Sequence, residues 1–94
     1  MNRTNYEKHS LALYYTKDII GMMDEAHRLD FMPIDEQIDE VCSLYSAFIR
    51  NDYQHVIDGL KSLLEDDDLD DDLLNQIRGT IVLLEYDKKE GVFA

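Results

Sequence analysis

One cysteine, one proline, four glycines and no tryptophan occur in the 94 residues of this chain. With Cys42 alone, no intrachain disulfide can form, and the usage fits a reducing cytoplasm. So little proline and glycine means few breaks, which favours long regular elements. Cationic side chains are scarce as well. The 9 Lys and Arg face 21 Asp and Glu, for a net charge of −12. Displacing counterions from a duplex takes clusters of Lys and Arg, so direct nucleic-acid binding is excluded, and anionic membrane surfaces are disfavoured for the same reason. No run approaches the ~18 apolar residues of a membrane span. The apolar stretch Leu11–Tyr15 is too short for a signal peptide and is followed at once by Lys17 and Asp18.

What is abundant is carboxylate. Seven of the eight residues from 65 to 72 are acidic: Glu65, Asp66, Asp67, Asp68, Asp70, Asp71 and Asp72, interrupted only by Leu69. Residues 1–34 hold 4 basic against 5 acidic side chains, whereas residues 35–94 hold 5 against 16. The second part therefore projects a strong negative field, which speaks to partners and solubility rather than to fold. At 45% hydrophobic residues the chain is too apolar for a disordered acidic tail. Its length fits one domain, residues 1–94, with residues 87–94 expected as a frayed tail.

Apolar spacing predicts four helices, near 4–29, 34–50, 53–65 and 71–86. Thr4 and Glu7 fit a capping box for the first. Its stripe is Leu11, Tyr15, Ile19, Met22, Ala26 and Leu29, widened by Leu13, Ile20 and Met23, so burial on two sides is expected. Gly21 is expected to permit a close helix crossing. Residues 30–33 connect to a second helix, because the residue before Pro33 avoids the helical region. That helix carries Ile34, Ile38, Val41, Cys42, Tyr45, Phe48 and Ile49 on one face. Asp52 is placed to cap a third helix with Tyr53, Val56, Ile57, Leu60, Leu63 and Leu64 inward. The fourth carries Leu73, Leu74, Ile77, Ile81 and Leu84, with Val82 and Leu83 on a second face; Val92 and Phe93 are placed to dock back. The expected fold is all-α, a compact bundle of about four mostly antiparallel helices joined by short connections.

Residues 51–65, NDYQHVIDGLKSLLE, resemble the turn and second helix of a tetratricopeptide repeat, with Tyr53, Val56, Leu60 and Leu63 where that repeat packs its second helix. The resemblance implies a helix–turn–helix pair over 35–65 and a protein-binding role. It assigns no functional residue.

The acidic run divides by position. Asp70, Asp71 and Asp72 stand near the start of the fourth helix, where the dipole favours them by ~0.3–1 kcal/mol each. Glu65 to Asp68 follow the third helix and oppose its dipole. Acids placed where they cost stability point to an interaction surface. A calcium loop of EF-hand type is excluded. Starting at Asp66 puts Asp71 at the glycine position and Ile77 at the bidentate one, and starting at Asp68 puts Leu73 and Gly79 there. Asp24/His27 and Asp52/His55 have Asp-x-x-His spacing but sit at helix ends and use Asp, unlike the inward Glu-x-x-His pairs of di-iron bundles. No metal and no cofactor is expected. Cys42 is expected as a buried packing residue, since no nearby cation would activate it. No nucleophile elbow or phosphate loop is present, which points away from an enzyme. Tyr14 and Tyr53 are candidate interface anchors.

The sequence thus reads as a non-enzymatic protein-binding inhibitor. Its carboxylates would occupy a basic, nucleic-acid-binding site on a target protein, with the seven acids of 65–72 as the partner-binding residues. In size and charge it is similar to small acidic helical phage proteins of the antirestriction and anti-CRISPR types. A toxin-immunity protein or antitoxin, or a helical adaptor or oligomer subunit, is the alternative, and a homodimer is compatible with the composition.

Overall fold

In the computed structural model, which describes residues 5–90, the four apolar stripes become four helices: α1 (Asn5–Glu25), α2 (Ile34–Ile49), α3 (Tyr53–Leu64) and α4 (Asp71–Glu90). A 3-10 turn, Leu29–Phe31, lies between α1 and α2, and the described residues contain no strand. The protein is an all-α four-helix bundle. Neighbours run antiparallel. His9 of α1 bonds Tyr45 of α2, and Ser43 of α2 bonds His55 of α3. Lys88 near the end of α4 reaches Gln54 near the start of α3 at 2.7 Å.

The core takes a narrow stripe from each helix. Ala12, Ile19, Met22 and Met23 come from α1, Leu44, Ala47 and Phe48 from α2, and Val56, Ile57 and Leu60 from α3. Leu73, Ile77, Ile81 and Leu84 of α4 complete it. Phe48 stands at its centre, stacked on Tyr15 with ring centroids 5.6 Å apart and edge-on to Tyr53 at 6.5 Å. Burying such a ring contributes about 1.5–3 kcal/mol. The Tyr15 hydroxyl then donates to Asp87 at 2.7 Å, tying α1 to α4.

Two helix ends share one device. His27 and Asn51 adopt left-handed φ values of 59° and 62°. At the end of α1, His27 N–H donates to the Asp24 carbonyl and Arg28 N–H to that of Met23. At the end of α2, Asn51 N–H donates to the Phe48 carbonyl and Asp52 N–H to that of Ala47. Both are Schellman caps without the usual glycine. The first explains why α1 stops at Glu25 and does not reach residue 29: once residue 27 turns left-handed, the chain leaves the helix axis. In the other direction, α4 continues to Glu90 where fraying from residue 87 was expected, because the Tyr15–Asp87 and Gln54–Lys88 bonds hold its last turns. The expected cap at Thr4 and the docking of Val92 and Phe93 lie outside the described residues.

Several inward assignments are corrected. Cys42 is exposed, as are Ile34, Ile38, Val41 and Leu13, whereas Ala12 and Thr16 are buried. The reason is that α3 and α4 cover only one side of the α1–α2 pair. A residue displaced to the far side of either stripe finds no third helix over it. Tyr53 is core and cannot anchor an interface, while Tyr14 is exposed. A Cβ at Gly21 would meet nothing within 4 Å, so no close crossing occurs there.

Candidate functional site

The acidic run forms the connector between α3 and α4 and the first turn of α4. Glu65 is the C-terminal cap residue of α3, and its N–H returns to the Ser62 carbonyl. Asp66 N–H donates to the Leu63 carbonyl, and the Asp66 carboxylate accepts from Asp68 N–H at 3.0 Å, closing a small turn. Leu69 packs, half-buried, against the core and anchors the connector midway. Asp70 then caps α4: its carboxylate accepts from Leu73 N–H at 2.8 Å and its carbonyl from Leu74 N–H at 3.0 Å. Asp52 likewise caps α3 through His55 N–H at 3.4 Å.

All seven carboxylates of the run are exposed. Two of them, Asp66 and Asp70, hold the backbone. The side chains of Glu65, Asp67, Asp68, Asp71 and Asp72 make no hydrogen bond or ion pair among the described residues. Among the described residues, the Lys61–Glu85 ion pair at 3.5 Å and the His27–Asp30 contact at 3.1 Å leave the run untouched. Among the described residues the negative charge of Glu65, Asp67, Asp68, Asp71 and Asp72 is therefore neither paired nor sunk into the core.

The fold adds residues that the linear pattern does not reveal. The end of α1 and the 3-10 turn lie beside the connector, forming a crevice of about 460 Å³ with Glu25, Phe31, Asp66, Asp68 and Asp70 in its walls. Phe31 is 86% exposed, so its ring is available to a partner. Carboxylates beside an open aromatic face form an environment for a guanidinium or ammonium group, which gains both charge pairing and cation–π attraction. An aromatic next to a proline-containing connector was the only hint of Phe31 in the sequence; nothing local tied it or Glu25 to residue 66. Among the described residues no group of three or more His, Cys, Asp or Glu side chains is gathered to hold a metal ion, and no helix is long and apolar enough to cross a membrane.

No family model, curated protein or solved structure matches this chain.

Proposed function

We propose that this protein is a non-enzymatic, cytoplasmic binding protein whose carboxylate connector occupies a basic, nucleic-acid-binding surface of a target protein and inhibits it. The observation that carries the reading is the unpaired charge: five of the seven acids have no partner among the described residues, yet the connector bearing them is closed by Asp66 and Asp70 and anchored by Leu69. Carboxylates on a held backbone stand in for phosphates without the cost of ordering a free chain. Their summed field speeds encounter with a cationic target, and salt weakens it. The Glu25–Phe31 side of the crevice supplies a contact for one Arg or Lys of that target. An immunity protein or antitoxin would use the same chemistry against a basic toxin.

The test is capture by immobilised protein from the cell that encodes it. A basic nucleic-acid-binding protein should be recovered, DNA or RNA should compete, and high salt should release it. Asp66→Asn/Asp67→Asn/Asp68→Asn should slow association at least tenfold. If the triple variant captures every recovered protein with unchanged rate and affinity, the connector is a solvated link and the reading fails.

A second reading, a helical adaptor, is favoured by a different observation: α1 and α2 leave Leu13, Ile34 and Ile38 uncovered.

A further inference from the structure

The outer side of α4 carries a second periodic seam. Asp72, Asn75, Gly79, Val82, Tyr86 and Lys89 step by 3, 4, 3, 4 and 3, and all six are exposed. That is the a/d rhythm of a coiled-coil contact, and it runs about 26 Å along the helix. The core stripe of the same helix, Leu73, Ile77, Ile81 and Leu84, lies on the other side. Val82 and Tyr86 are 65% and 61% exposed, and Leu83 beside them is 55% exposed. Apolar side chains gathered in one patch, rather than scattered singly, point to a contact surface.

The charges of the seam select the occupant. Asp72 stands at its start and Lys89 at its end, and neither side chain makes a hydrogen bond or ion pair among the described residues. A second copy of α4 laid antiparallel, with a twofold axis midway between Gly79 and Val82, sets Asp72 of each copy opposite Lys89 of the other. The same register sets Asn75 opposite Tyr86 and Gly79 opposite Val82. A Cβ at Gly79 would meet nothing within 4 Å, so this position is open to receive the Val82 side chain of the second copy. On one flank of the seam Arg78 comes beside Glu85 of the second copy. Within its own chain Arg78 donates to Asn75 at 3.2 Å and Glu85 pairs with Lys61 at 3.5 Å, both at the surface. On the other flank Leu83 comes beside Gln76 of the second copy. The remaining exposed charges of α4 are neutral to the choice: Lys88 turns to Gln54 of α3 at 2.7 Å, and Asp71 and Glu90 stand on opposite flanks. A parallel pair would instead set Asp72 against Asp72 and Lys89 against Lys89. A seam that matches itself only when reversed fits the isologous contact of a twofold dimer.

We propose that two copies of this chain pair through an antiparallel α4–α4 contact. The contact engages Asp72 alone of the seven carboxylates of the run, leaves the other six outside the seam, and does not rest on the reading of the connector. Three apolar side chains a copy make a small interface, and the net charge of −12 acts against association, so the dimer is weak, with a Kd in the micromolar range or above.

The test is sedimentation of the full chain in 150 mM NaCl, loaded from about 20 μM to about 1 mM, which spans such affinities. A monomer–dimer equilibrium is expected. Val82→Ser/Tyr86→Ser, exposed changes that leave the core intact, should raise Kd at least tenfold. Ile34→Ser/Ile38→Ser, on an exposed apolar face of α2, should change it less than threefold. Asp72→Lys and Lys89→Asp should each raise Kd at least fivefold, because each sets like charges across the seam. Asp72→Lys also lowers the net negative charge, so a dimer limited only by overall repulsion would tighten instead. The double variant keeps the net charge and should return to within threefold of the wild type. Each of these two changes opposes the α4 dipole, so effects on the helix alone would add rather than cancel. Four results overturn the proposal: a monomer at every concentration, a dimer indifferent to Val82→Ser/Tyr86→Ser, a dimer that Ile34→Ser/Ile38→Ser dissociates, or no recovery in Asp72→Lys/Lys89→Asp.

Discussion

Asp70 and its neighbours Asp67 and Asp68 are all exposed aspartates of one connector, and the structure gives them opposite energetic roles. Asp70→Ala removes the acceptor of Leu73 N–H, a bond of 2.8 Å at the start of α4. The first four N–H groups of a helix have no partner within it, so losing a side-chain cap costs about 1–2 kcal/mol, and losing the charge near the dipole adds ~0.3–1 kcal/mol. At ~4–8 °C per kcal/mol for a domain of this size, Tm should fall by roughly 5–24 °C. Asp70→Asn keeps an acceptor and should lose only the charge contribution. Asp67→Asn/Asp68→Asn removes no hydrogen bond or ion pair present among the described residues. It removes two charges from a crowd in which unit charges ~7 Å apart repel by ~0.6 kcal/mol in water before screening. Its stability should be unchanged or a few tenths of a kcal/mol higher, most visibly at low salt, and the wild-type Tm should itself rise with moderate NaCl. The assay is thermal melting by circular dichroism at 50 and 300 mM NaCl, with urea titration at 25 °C. Equal losses for Asp70→Ala and Asp67→Ala would refute the cap. A loss above 1 kcal/mol for Asp67→Asn/Asp68→Asn would show that these carboxylates are paired inside the fold, which also removes the basis for a free binding surface.

Further outcomes follow from the helices. Gly21, Gly59 and Gly79 lie inside helices, and a Cβ at each would meet nothing within 4 Å, so replacing all three with Ala should raise unfolding free energy by about 2–3 kcal/mol in urea titrations. A loss at any one of them would reveal a close contact at that position. Tyr15→Phe should cost about 1.5–3 kcal/mol, because it removes a hydrogen bond to the carboxylate of Asp87, which is only 9% exposed. A change below 0.5 kcal/mol in the same titration would show that this bond does not hold the end of α4 to α1.

Helix number, helix type and most of the core were readable from the chain, because a stripe of apolar residues at 3.6-residue spacing is a local property. So was the cap at Asp52, since an N-cap needs only an acceptor beside the first turn, and so was the place of Asp70 at the start of the fourth helix, whereas which of its three aspartates caps it came from hydrogen-bond geometry. The end of α1 was not. Nothing in Ala26–His27–Arg28 demands a left-handed histidine, and that geometry exists because the chain must turn into the Leu29–Phe31 segment. The acidic run was visible as charge, yet its division into backbone-closing Asp66 and Asp70 and unpartnered neighbours is a matter of hydrogen-bond geometry. Glu25 and Phe31 join Asp66 only because the end of α1 packs beside the α3–α4 connector. The clearest limit is α2. By sequence, Ile34, Ile38, Val41 and Cys42 look as inward as Phe48, while Leu44, which is buried, was not assigned to that face. Periodicity reports that a face is apolar, whereas burial requires another helix to cover it. The 12-residue α3 and its partner α4 lie over one side of the α1–α2 pair, so the tertiary arrangement alone decided which apolar residues became core and which became surface.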